Sequence, residues 1–193
     1  MAGHARFTAL LDACVLYPAP VADLLISLHV AGLFAARWTN AIDDEWMRNV
    51  IEARPDLAGK LERRRDAMRS AVSDWEVEEA AWNQVAAGLK LPDPNDVHVL
   101  AAAVAGHADC IVTANLKDFP AEVLAPLGLE AIHPDDFVLY QIDLEPYRAV
   151  AAVKGMRARL RKPAMGVEEF LSTLERNQLV ATASRLREAA ELI

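Results

Sequence analysis

The chain has 193 residues, of which 53% are hydrophobic and 25% charged, with a net charge of −8 and a pI near 5.1. That length suits one domain of ordinary size with an appendage, and the apolar content excludes disorder as the default. The acidic balance argues against non-specific nucleic-acid binding through a basic face, although a metal can invert the local charge of an acidic pocket.

Cys14 and Cys110 lie far apart and form no CxxC, so neither a zinc site nor a disulfide framework is indicated, and both fit a reducing cytoplasm. The N-terminal segment has no apolar run after a basic start, and no apolar stretch reaches roughly 18 residues. Neither a signal peptide nor a transmembrane helix is expected.

In chain order, RFTALLD (Arg6 to Asp12) predicts a buried strand that stops at an acid. Past Pro18 and Pro20, the helical spacing of Val21, Leu24, Leu25 and Leu28 predicts a helix ending near Gly32. Thr39 or Asn40 can cap the next helix, which carries Glu45, Met47, Val50 and Ile51. Pro55 separates it from the charged, amphipathic DLAGKLERRRDAMRSAV, and residues 76–88 read as another helix closed by Gly88. Asp93 is a good N-cap with Pro94 at the first helical position, so a helix is expected from Pro94 to about Gly106. ADCIVTAN predicts a second strand, followed by a loop with Asp118, a short helix from Pro120 and a third strand, GLEAIH. This alternation indicates an α/β fold with a parallel sheet covered by helices. From Pro134 the pattern turns helical, with PDDFVLYQI, Glu145 to Lys162 and Val167 to Ile193, the last two divided by Pro163. The expected division is an α/β domain over 1–140 and a helical C-terminal extension over 141–193.

Ligands of parallel α/β sheets bind outside the carboxyl ends of the strands, and that rule sorts the acids. Asp12 ends the first strand, Asp96 opens a helix that enters from the same edge, and Asp118 lies in the loop leaving the second strand. A strand-end Asp that accepts backbone N–H bonds is the plain alternative for Asp12, and a first-turn acid helped by the helix dipole is the plain alternative for Asp96. Asp96 shares a helical face with Leu100, Ala103 and His107, an inward face on which an acid needs a partner. Asp93 is explained as a cap. Among Asp43, Asp44 and Glu45, one can be functional while the others are solvated.

The five histidines form no HxxxH or HExxH pattern, and His98 is expected at the surface. Cys14 reads as a small buried residue rather than a nucleophile. Lys60, Arg63, Arg64, Arg65 and Arg69 form one basic run, and KGMRARLRK (154–162) forms a second. A solvated helix face is the ordinary explanation of such runs, and the second can also meet a phosphate backbone or an acidic partner.

Together, LLDACVLYP, the helical Glu45, DPNDVHVLAAA and IVTANLKDFP resemble the PIN domain, the nuclease fold of VapC-type toxins. The resemblance spans about residues 5–140 and implies a Rossmann-like three-layer core. It maps the acidic set onto Asp12, Glu45, Asp96 and Asp118, with Thr113 and Asn115 beside Asp118 or a phosphate oxygen. The extension resembles a longer subgroup of the family. The resemblance implies a ribonuclease dependent on Mg²⁺ or Mn²⁺, since oxygen-only ligands select hard cations. An RNA substrate, an antitoxin partner and a cytoplasmic location are implied as well. Homodimers are common in the family, and the apolar helix over 21–35 could serve one, although an ordinary core helix looks identical. A non-catalytic RNA- or protein-binding module of the same fold is the alternative. An aspartyl-phosphate phosphatase would need an acid where Cys14 stands.

Overall fold

Four short strands, all parallel and three or four residues long, organise the molecule. The computed structural model describes residues 7–161 and 164–193, so the expected strand start at Arg6 and the expected break at Pro163 lie outside the described residues. The first half runs β1 (Thr8–Leu11), α1 (Ala13–Leu16), α2 (Ala19–Val30), β2 (Ala35–Arg37), α3 (Asn40–Ala53), α4 (Glu62–Ala71) and α5 (Glu79–Ala86). There follow α6 (Val97–Ala105), β3 (Cys110–Val112), α7 (Ala121–Leu124), β4 (Glu130–Ile132), α8 (Pro134–Leu144), α9 (Pro146–Arg159), α10 (Val167–Arg176) and α11 (Val180–Arg187). Short 3-10 turns at Pro94–Asp96 and Leu116–Asp118 carry two of the acids singled out above.

Strand order is β2-β1-β3-β4. The β1–β3 register pairs Ala9 with Cys110, Leu10 with Ile111 and Leu11 with Val112. Both strands are almost wholly buried and apolar, as strands covered on two faces require. The next residue on each is polar: Asp12 donates its N–H to the Val112 carbonyl at 3.2 Å, and Thr113 donates to Ile132 at 3.1 Å. Register alone therefore sets Asp12 and Thr113 side by side at the carboxyl edge.

Strand β2 departs from the sequence expectation. Its residues, Ala-Ala-Arg, include no β-branched side chain and follow a helical pattern, so propensity argues against a strand. Tertiary pairing decides instead. Gly32, at φ 84°, turns the chain back at the end of α2, and Ala35 then donates to the Phe7 carbonyl at 2.8 Å. The expected helix over 76–88 starts only at Glu79, because Trp38 donates to Trp75 and Val77 to Trp38 in a short parallel bridge. Val77 also explains Gly106, since a Cβ there would lie 2.7 Å from a Val77 methyl. His107, expected on the face of α6, lies beyond its end at φ 50°.

The stretch from Val167 to Ile193 is two helices rather than one. Gln178 takes φ 64°, and this reversal seats Leu179 in the core. The buried carboxylate of Asp135, in α8, accepts the N–H groups of Ala181 and Thr182 at 2.8 Å each and so caps α11 from across the fold. One continuous apolar core includes β1 and β3 as well as Val153, Phe170, Leu174 and Leu186 of the C-terminal helices. Helix α2 packs against α9 within that core, so its apolar face is occupied inside the chain.

Both basic runs are partly tied into the fold, while Lys60, Arg63, Lys154 and Arg161 stay exposed. Arg64 lies over the Trp46 ring and donates to the Leu16 and Tyr17 carbonyls, closing α1 from below, and burial pushes it down to about 10. In the second run, Arg157 donates to the Met165 and Ile193 oxygens, and Arg159 bonds Asp23 and Ser27 of α2. Lys162 lies outside the described residues.

The three acids of α3 separate by helical rotation. Thr39 caps the helix by accepting from the Ile42 N–H at 3.1 Å. Asp43 is fully buried, contrary to the expectation that it is solvated, and accepts from Trp38 Nε1 (3.1 Å), Trp46 Nε1 (2.7 Å) and Arg69 Nε (2.9 Å). Asp44 is exposed, and Glu45 is half-buried. Asp43→Ala would strand two indole N–H groups and a guanidinium, and is expected to cost about 3 kcal/mol. Asp44→Ala should stay within about 0.5 kcal/mol. Urea unfolding of both variants checks the contrast.

Candidate active site

Asp12 follows β1 as the first residue of a turn into α1, extended in backbone and only 4% exposed. Its carboxylate makes no capping bond to α1, so the plain reading of a strand-end cap does not hold. Its partners are side chains instead. Thr113 Oγ1 donates to Asp12 Oδ2 at 2.8 Å, and Cys14 Sγ donates to the same oxygen at 2.9 Å. Thr113, expected beside Asp118, has its hydroxyl turned to Asp12 instead. It also accepts the Asn115 N–H at 3.0 Å, which starts the turn toward Asp118.

Asp93 does what its position predicts, accepting the Asn95 N–H at 2.8 Å. Asp96, three residues on, sits at the start of α6 and makes no capping bond. Asp118 is half-buried at the end of its 3-10 turn, with its N–H given to the Asn115 carbonyl at 3.0 Å. The Asn115 side chain is exposed.

Electrostatics link these positions. The Asp96 carboxyl is pushed up to about 6, first by burial and then by the negative charges of Asp12, Asp93, Asp118 and Glu45. Glu45 is raised by burial and by Asp12, against the opposing pull of His98 and Arg48. The four acids singled out from the sequence thus share one field. Among the described residues, no three His, Cys, Asp or Glu side chains stand at the spacing of ligands to one ion. The acids feel one another's charge without forming such a group.

His98 is another residue whose surroundings differ from the sequence expectation. It is not a surface histidine: its Nδ1 lies 2.7 Å from the Asn95 carbonyl, and its Nε2 is shielded and without a hydrogen-bond partner, 3.5 Å from Glu45 Oε2. The signal was its place two residues after Asp96. Cys14, which reads from sequence as packing, is likewise part of the site. Its thiol is half-buried and pushed up to about 12 by burial and the Asp12 charge.

The donor set suits a hard cation. Its oxygens are carboxylates, and the one sulfur stays protonated. Negative groups held close at a partly buried edge also want a positive partner.

The sequence profile of the PIN domain matches residues 8–117, and that of the VapC50 C-terminal domain matches residues 134–188. The protein named "Putative ribonuclease VapC50" from Mycobacterium tuberculosis (strain ATCC 25618 / H37Rv) is 43% identical over 93 residues, covering 47% of this chain and 55% of that protein. The chain therefore spans about half the length of the curated relative it matches. No solved structure matches the chain.

A carboxyl raised in the folded state binds its proton more tightly folded than unfolded. The stability this lends is present below about pH 4 and lost as pH rises through the raised value. In chelator-treated protein, Asp96→Asn should therefore be more stable than wild type above about pH 6, and the two should converge below about pH 4. Urea midpoints across that range test the sign.

Proposed function

We propose, since this chain belongs to the PIN-domain family, that it is a metal-dependent ribonuclease acting as the toxin of a toxin–antitoxin pair. The observation that carries this reading is the convergence of Asp12, Glu45, Asp96 and Asp118 in one field, with Asp12 and Asp96 both free of capping duties. The mycobacterial relative, named "Putative ribonuclease VapC50", supports the same class of chemistry.

In this proposal Asp12, Asp96 and Asp118 would hold Mg²⁺ or Mn²⁺ at the sheet edge, with Glu45 as a further ligand or as a base. Such a cation, when bound, supplies charge neutralisation and the activation of water toward a phosphodiester. Thr113 fixes the Asp12 carboxylate through Oδ2. Where it is not a ligand, Glu45, raised by burial, would accept a proton from water at the edge. Asn115, exposed at the rim, is available to a phosphate oxygen. Occupation of the edge by a cation would also relieve the repulsion that raises Asp96.

The nuclease part is proposed to run to about residue 140, within α8, with the helical extension beyond it. RNA is the proposed substrate, an antitoxin chain and a second copy of this chain are the proposed protein partners, and the cytoplasm is the proposed location. Among the described residues, no helix is long and apolar enough to cross a membrane.

Purified protein should cleave RNA with Mg²⁺ or Mn²⁺ and lose that activity with a chelator. Asp12→Asn should lower the rate by about 100-fold or more, on the scale of removing a principal electrostatic group. Cleavage that persists undiminished in Asp12→Asn or in chelator would overturn the proposal. Gel analysis of a mixed-sequence RNA reads both.

A further inference from the structure

We propose that Cys14 is a positioning residue for Asp12, holding one carboxylate oxygen so that the other faces the acidic edge; this rests on the reading of Asp12 as a metal-holding carboxylate.

The two side-chain donors of Asp12 both reach Oδ2, Thr113 at 2.8 Å and Cys14 at 2.9 Å. No donor among the described residues reaches Oδ1. A carboxylate tied twice at one oxygen has lost rotation about its last bond, and its other oxygen keeps a fixed direction. The Cys14 sulfur also accepts the Ala114 N–H at 3.2 Å, on the turn that leads from β3 to Asn115 and Asp118. One atom thus joins the turn after β1 to the turn after β3, 100 residues apart in sequence.

Packing is the competing role for a small half-buried cysteine, and it ranks substitutions in the opposite order. If Cys14 only fills space, Ala and Val are tolerated and Ser, which is polar, is the poorer substitute. If Cys14 positions Asp12, Ser keeps a donor and an acceptor, whereas Ala and Val keep neither.

The test uses the full chain and measures Mn²⁺ binding by the electron paramagnetic resonance of free Mn²⁺, with no RNA present. Cys14→Ala and Cys14→Val are expected to weaken Mn²⁺ binding by about 10-fold, the low end for an outer-shell partner because Thr113 still holds Oδ2. Cys14→Ser is expected to recover most of that loss. In steady-state cleavage at saturating Mn²⁺, KM for RNA should stay near wild type in all three.

Wild-type Mn²⁺ affinity in Cys14→Ala and Cys14→Val overturns the positioning role, as does Cys14→Ser binding most weakly. Asp12→Asn separates the two levels. If it leaves Mn²⁺ binding unchanged, the metal reading of Asp12 fails and the Cys14 role falls with it. If it abolishes binding while every Cys14 variant behaves as wild type, only the Cys14 role fails. Should the apolar variants not fold, the Raman S–H stretch of wild type decides, assigned by the band lost in Cys14→Ser. A band lowered by hydrogen bonding supports the role, and one at the free-thiol position overturns it.

Discussion

The parallel pairing of Leu11 with Val112 is the constraint on which the rest of the molecule depends. Strand side chains alternate between faces with a period of two, so this register places the next residues, Asp12 and Thr113, on the same side and in contact. A slip of one residue would turn Asp12 to the opposite face and separate it from its hydroxyl donor. The apolar runs on both strands make such a slip costly, because every buried residue would move with it. Core packing and site geometry are here the same fact.

Around that pair, like charge works against burial. Asp96 and Glu45 carry raised carboxyls because water is partly excluded and other acids lie near. A fold selected for stability alone would not gather them. Asp43 is the instructive contrast: it is more deeply buried than any of the four, yet two indoles and a guanidinium answer it. The same helix therefore carries one buried carboxylate answered by three donors and, two positions on, a half-buried carboxylate whose charge is opposed by His98 and Arg48.

Much of this was legible in the residues. Apolar runs ended by Asp12 and Thr113 marked β1 and β3, Asp93 with Pro94 marked the start of the turn into α6, and the edge rule for parallel sheets picked out Asp12, Asp96 and Asp118. Glu45 came from the family resemblance, since helical spacing alone left Asp43, Asp44 and Glu45 equivalent. What stayed hidden was set by contacts between distant segments. Strand β2 exists through its pairing with β1 and not through its alanines. The split between α10 and α11 depends on Gln178 adopting a conformation usually left to glycine. His98 and Cys14 were hidden for a similar reason: each owes its place to a partner brought near by the fold, and residue type alone reads as surface or packing.

Thr113 and the turn bearing Asp118 are made about 100 residues after Asp12. Closing so long a separation waits on the later strand, and chains form their domains from the N-terminal side as they are made. Until those residues follow, Asp12 lacks the hydroxyl donor that holds its carboxylate in the folded chain. Any chemistry of the assembled set is withheld until the third strand in sequence has joined the first. The separation of these residues along the chain makes assembly of the acidic edge a late step, set by topology rather than by any one residue.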